Sequence, residues 1–197
     1  MSEFIYKLDF AILDFIRENL TSPVLDKIFA VITSLGNGGI LWIGLSAIFL
    51  CFKKTRRMGV SMAISLLVSL FVTNLTLKPL VNRARPYVRR PVTLSIDPPS
   101  SASFPSGHAS GSFCAALALY RENKKAGIPA IILAMLIAYS RLYFYVHYFT
   151  DVLGGFLVGV LGTVAASLLT PVVFAAAEKL CKKLTAKMGL YFSKQRS

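Results

Sequence analysis

Residues 140–151 read SRLYFYVHYFTD, and seven of the twelve are apolar or aromatic, yet Arg141, His147 and Asp151 stand among them. His147 and Asp151 are four positions apart, so on a helix or tight turn they face the same way. A carboxylate bonded to one imidazole nitrogen fixes the tautomer and leaves the other nitrogen as a nucleophile. The one other histidine, His108, lies in SFPSGHAS (residues 103–110), where it would act as an acid toward a leaving oxygen. Lys78 and Arg85, in KPLVNRARP (residues 78–86), join Arg141 as three cations able to converge on an anion. The planar fork of arginine matches phosphate oxygens. Pro105-Ser106-Gly107 precedes an apolar helix, whose N-terminal N–H groups and dipole favour an anion, and Gly107 permits its close approach. Phosphate fits best, and the set suits phosphoryl transfer through a phosphohistidine.

These residues need a frame to bring them together. Of 197 residues, 55% are hydrophobic, and the mean hydropathy is +0.62. Soluble domains use roughly 45–50% apolar residues. Residues 28–52, 58–77 and 152–177 carry no charge. Uncharged apolar runs of about 20 residues are membrane-span candidates. The chain therefore reads as an all-α, polytopic membrane bundle forming one domain over residues 1–197. Spans are expected near 39–53, 57–78, 105–120, 127–145 and 149–177. The apolar stretch 23–35 is short for a crossing, so it is a dipping or sixth segment, ended by Gly36-Asn37-Gly38-Gly39. Phe4, Ile5, Leu8, Ala11, Ile12, Phe15 and Ile16 recur at helical spacing. Residues 1–20 thus read as an amphipathic helix at the bilayer interface, or equally as a packing helix, and not as a signal peptide. Cys51, Cys114 and Cys181 have no paired spacing and are expected as free thiols. Asn74-Leu75-Thr76 matches a glycosylation sequon but falls inside a span.

A net charge of +13 raises the question of nucleic acid. Its distribution answers no: Lys53, Lys54, Arg56 and Arg57 form one cluster and Arg121, Lys124 and Lys125 another. Six more basic residues run from Lys179 to Arg196 in the tail, residues 178–197. All three clusters flank apolar spans, as cytoplasmic loops do. The blocks around residues 78–86, 103–110 and 140–151 then share the opposite, extracytoplasmic face. On that face Arg83, Arg89 and Arg90 add positive charge, read chiefly as attraction to headgroups. If they touch substrate, they favour a diphosphate such as undecaprenyl diphosphate over phosphatidate or phosphatidylglycerophosphate.

Each residue alone also fits a structural role. Ser106 suits a helix N-cap, Asp151 a first-turn acid and Arg141 an interfacial anchor. Those roles do not account for a matched set on one face. Metal-assisted phosphate chemistry needs carboxylates. This reading puts only Asp97 and Asp151 on the outer face, so no metal or other cofactor is expected. A non-hydrolytic phospholipid carrier or scaffold would need the cations, but not a His–Asp pair and a second histidine.

Lys78 with six residues to Arg85-Pro86, then Pro105-Ser106-Gly107-His108, then Ser140-Arg141 with five residues to His147 and three more to Asp151, resembles the three-part signature of the type 2 phosphatidic acid phosphatase superfamily. The resemblance implies a membrane enzyme that hydrolyses the phosphate of a membrane lipid without a metal. By matching positions, Lys78, Arg85, Ser106, Gly107 and Arg141 would cradle the phosphate, His147 attack, Asp151 orient it and His108 protonate the leaving group. Soluble vanadate-dependent haloperoxidases share these blocks by resemblance, but the membrane spans argue against that chemistry.

Overall fold

Small residues decide how closely the helices of this chain approach one another. The structure is a computed structural model that describes residues 3–194, excluding the side chains of Cys181 and of residues beyond 184. The expected free thiol of Cys181 and the outer part of the basic tail therefore lie outside what is described. Among the described residues nine α-helices run in the order α1 (Glu3–Asn19), α2 (Pro23–Ser34), α3 (Ile40–Cys51), α4 (Arg56–Ser69), α5 (Lys78–Val81), α6 (Pro86–Arg89), α7 (Gly107–Glu122), α8 (Lys124–Tyr143) and α9 (Phe149–Lys194). A π-helical stretch, Leu70–Leu77, joins α4 to α5.

The central helix is α7, which packs against α4, α8 and α9. Its inward residues are small: Ala109, Ser110, Ser112, Ala115, Ala116 and Ala118 are all buried. Opposite it, α9 carries Gly155 and Gly159, where a Cβ would lie 2.8 Å from Ala109 Cβ and 2.5 Å from Phe113 Cβ. In lipid, where apolar burial gives helices little reason to associate, such close packing and interhelical hydrogen bonds take over. Trp42 Nε1 donates to Ser112 Oγ at 3.0 Å, and Ser69 and Thr73 each donate to Ser110 Oγ at 3.0 Å. Large apolar side chains point outward instead, among them Ile43, Leu67, Phe71, Leu157, Leu161 and Leu168.

Among the described residues three helices are long and apolar enough to cross a membrane: Arg56–Arg89, Lys124–Tyr143 and the α9 segment Phe149–Leu184. The expected helical membrane bundle is present, but its count differs from the five crossings drawn from hydropathy. Stretch 23–35 and segment 39–53 are the two halves of one pair, bent by 40° at the glycine break, which makes a fourth span if taken together. The predicted span 105–120 is α7, 16 residues long and largely enclosed by its neighbours. Segment 127–145 ends early, because the chain leaves α8 at Tyr143 for a turn, residues 144–148.

Helix α1 covers that turn. Phe10, Leu13 and Ile16 are buried in one cluster with Leu142, Tyr143, Phe144, Tyr145, Val146 and Tyr148. Its other face leaves Phe4, Leu8 and Phe15 exposed. The aromatic residues of SRLYFYVHYFTD thus form a buried seat.

Candidate active site

The buried turn aims His147. Val146 N and His147 N both donate to Arg141 O, at 3.2 and 3.3 Å, while Tyr145 adopts φ 59° to reverse the chain. His147 is 2% exposed and Asp151, in the first turn of α9, is fully buried. Asp151 Oδ2 faces His147 Nδ1 at 3.4 Å and also accepts from Tyr148 N (3.0 Å) and Ser103 Oγ (2.5 Å). Arg85 Nη1 lies 3.1 Å from His147 Nε2. A guanidinium can only donate, so Nε2 carries the lone pair and Nδ1 carries the proton. Burial, with Arg85 and Arg141 nearby, outweighs the pull of Asp151 and holds His147 down at about 3. The ring is neutral across the physiological range, as a nucleophile requires.

Lys78 and Arg85 meet at one hydroxyl: Lys78 Nζ donates to Ser101 Oγ at 2.9 Å and Arg85 Nη2 lies 3.3 Å from it. Arg85 is fixed further by Nε to Ser101 O (2.8 Å) and Nη1 to Val146 O (2.7 Å). The α7 N-terminus closes on the same place. Ser106 Oγ caps Ala109 N, Ser106 N donates to Asp151 O at 3.0 Å, and a Cβ on Gly107 would stand 3.7 Å from Lys78 Nζ. Arg141, buried on α8, donates to Thr33 Oγ1 of α2 at 2.5 Å, and its Nε has no protein partner.

His108 lies within Coulombic range of Arg141, His147, Lys78 and Arg85. Its Nε2 is 3.0 Å from Asn37 Oδ1, in the α2–α3 break. Two cavities meet at this histidine. One, of 1180 Å³, is lined by Thr33, Asn37, Tyr87, Ile96, Asp97, His108 and Arg141, with the segment 92–100 as its wall. The other, of 530 Å³, is an apolar groove along Gly39, Ile43, Leu66, Leu67 and Leu70 that ends at Gly107 and His108. Three cations, an aimed imidazole and an apolar groove thus share one end of the bundle.

Every residue proposed from the sequence lies in this region: Lys78, Arg85, Ser106, Gly107, His108, Arg141, His147 and Asp151. The remaining arginines differ among themselves. Arg83 is buried against Asp9 and Asp151, which takes it away from headgroups and substrate. Arg90 pairs with Asp14 at 2.7 Å and Arg89 lies 4.2 Å over the Tyr6 ring, but both stay exposed. This end of the bundle also holds more acid than expected, because Asp9 and Asp14 of α1 and Asp26 of α2 reach it. Among the described residues no group of three or more His, Cys, Asp or Glu is placed to hold a metal ion. Thr33, Asn37, Ser101 and Ser103 were missed. Only the clustering of serines just before the PSGH stretch hinted at the last two.

A family model described as "PAP2 superfamily" matches residues 56–174, well over half of the chain. The chain belongs to the PAP2 superfamily. This PAP2 chain is 35% identical over 121 residues to an undecaprenyl-diphosphatase of Sulfolobus acidocaldarius, covering 60% of this chain and 58% of the relative. It is 31% identical over 103 residues to undecaprenyl-diphosphatase BcrC of Bacillus subtilis, covering 52% and 51%. The matches span little more than half the length of these relatives. In structure it is similar to the transmembrane PAP2-type phosphatidylglycerolphosphate phosphatase of Bacillus subtilis, with TM-score 0.70 at 28% identity over 84% of this chain and 86% of that one.

Proposed function

We propose that this PAP2 protein is an integral-membrane lipid phosphatase, hydrolysing a lipid mono- or diphosphate through a phosphohistidine on His147. The observation that carries the reading is the two-sided hold on the imidazole, with Asp151 at Nδ1 (3.4 Å) and a guanidinium donor at Nε2 (3.1 Å). Arriving phosphate replaces Nε2 as the acceptor of the Arg85 N–H, which frees the lone pair it was covering. Lys78, Arg85 and Arg141 spread the charge on the equatorial oxygens while the α7 N-terminus, at Ser106 and Gly107, takes another. The Nε2–P bond forms as the P–O bond to the lipid breaks, and His108, neutral in the free site and protonated once the phosphate offsets the cations around it, gives that proton to the departing oxygen. Water then attacks phosphorus, His108 takes its proton, and the P–N bond breaks to release phosphate and neutral His147. No step calls for a metal.

The groove that ends at His108 suits the hydrocarbon part of such a lipid, and the larger polar cleft suits its headgroup. The site faces the extracytoplasmic side in this reading. Its support is the opposite end of the bundle, where Arg57 of one basic loop pairs with Glu122 of another at 2.8 Å. Substrate names of relatives include both undecaprenyl diphosphate and phosphatidylglycerophosphate. The test is phosphate release from those two lipids and phosphatidate by detergent-solubilised protein with chelator present. Release from at least one, abolished in His147→Ala, is expected. Release that needs added metal, or that survives His147→Ala near the wild-type rate, contradicts the proposal.

A further inference from the structure

Arg83 is as enclosed as the residues of the phosphate cage, yet both its Nη nitrogens are already engaged by carboxylates, and only its Nε has no protein partner. It is 4% exposed. Nη1 donates to Asp151 Oδ1 (2.5 Å) and Thr150 Oγ1 (2.8 Å), and Nη2 donates to Asp9 Oδ2 (2.7 Å). The Tyr148 ring lies 3.8 Å beneath the guanidinium. Asp9, itself fully buried on α1, accepts the Thr150 backbone N–H at 2.9 Å and its hydroxyl at 2.6 Å. A carboxylate from α1 therefore caps the first turn of α9, the turn that carries Asp151.

We propose that Arg83 is a positioning residue for Asp151 and that Asp9 holds Arg83 in place, so that α1 completes the alignment of the nucleophile. The proposal rests on His147 being that nucleophile. A carboxylate turns about its Cβ–Cγ bond, and Oδ2 must stay toward His147 Nδ1 to be useful. Arg83 is the one side chain among the described residues that bonds Oδ1, so it sets that rotation. A planar fork bridging two acids does this, and a lysine point charge does not. Charge matters as well. Arg85, Arg141 and His108 face the His147–Asp151 pair from the loop, α8 and α7, and Lys78 faces Asp151 from α5. Without Arg83, Asp9 and Asp151 become two buried like charges on either side of Thr150, and Asp151 acts on His147 undiminished.

The test compares wild type, R83K, R83Q, D9N, R83Q/D9N and His147→Ala by phosphate release, with kcat and KM separated and pH varied. R83Q is expected to lower kcat about 50-fold with KM within about threefold, and R83K to recover less than about a tenth of the loss. In R83Q the acid limb of the pH profile moves upward, because Asp151 now favours the protonated ring. In D9N it moves the other way, because Arg83 then weighs on Asp151 alone, and kcat falls more modestly. R83Q/D9N regains about fivefold over R83Q, since the like-charge pair is gone. A folded R83Q with kcat within threefold of wild type overturns the proposal, as does a loss without movement of the acid limb. Should R83Q not fold, D9N decides: an unchanged kcat and acid limb overturn it. His147→Ala keeps the two readings apart, because its activity would sink the nucleophile itself, whereas an inactive His147→Ala beside unaffected Arg83 variants sinks only this inference.

Discussion

Replacing Asp151 by Asn keeps the shape of the side chain and removes its charge, which isolates what the carboxylate does for His147. As the P–N bond forms, the ring becomes a phosphoimidazolium whose protonated Nδ1 lies 3.4 Å from Asp151 Oδ2. A unit charge pair at that distance is worth about 5 kcal/mol at an effective dielectric of about 20. Arg83 on Oδ1 cancels part of it, leaving about 3–4 kcal/mol and a loss of about 100- to 1000-fold in kcat. Hydrogen bonding adds to the damage. Asp151 accepts from Arg83, Ser103, Tyr148 N and His147, and an amide has one oxygen to offer them. If that oxygen stays with Arg83, the NH₂ opposes the Nδ1 proton and drives the ring to the tautomer with no lone pair on Nε2. KM should change by less than about threefold, because Lys78, Arg85 and Arg141 are untouched. Single-turnover phosphate release with enzyme in excess measures the step directly, and thermal unfolding checks that the variant is folded. A folded Asp151→Asn variant that reacts within fivefold of wild type would refute the reasoning.

Four further outcomes follow from the same geometry. Because burial and the neighbouring arginines hold His147 near 3, kcat/KM should show no loss of activity as pH falls from 7 through 6.5 to 5, and an acid limb centred at 6.5 would contradict this. The same shift acts on stability with the opposite emphasis: the unfolded chain takes up a proton on this residue between about pH 6.5 and 3 and the folded one does not, so this contribution lowers stability as pH falls through that window. Ser103→Ala removes a short donor from Asp151 Oδ2 and should lower kcat about 5- to 20-fold with little change in KM, against no change if Ser103 only shapes the loop. Gly159→Val places atoms where a Cβ already comes within 2.5 Å of Phe113, so α7 and α9 must part at a cost of about 1–3 kcal/mol, read as a lower midpoint of thermal unfolding in detergent.

The parts of this site that the sequence disclosed are those that announce their chemistry. A chain with two histidines, one in PSGH and one between Arg141 and Asp151, narrows the search at once. What stayed hidden depends on contacts between distant segments. Asp9 reads as one more acid on the polar side of an amphipathic helix, and nothing nearby says that Arg83, 74 residues on, will bury it. Arg83 and Arg85 are two positions apart and alike in type, yet one braces Asp151 and the other meets His147 Nε2. The chain leaves α5 at the left-handed Asn82 (φ 41°) and carries both arginines through residues 83–85 outside any helix, a path that a string of residues does not show. Hydropathy likewise located the apolar segments but not the joining of 23–35 and 39–53 across a bend, nor the enclosure of α7 within the bundle. Nor does the sequence show that α1 packs over Tyr143, Phe144, Tyr145 and Tyr148 and buries them beside His147.

The central claim is that the phosphoryl group passes through a covalent bond to His147. Acid-labile, alkali-stable phosphate retained on the protein during turnover of a lipid substrate labelled in the transferred phosphate measures this directly. The account predicts label on His147 alone, appearing and decaying fast enough to carry the observed turnover and absent from His147→Ala. Label on another residue, or full turnover with no protein-bound phosphate at any quench time, contradicts it.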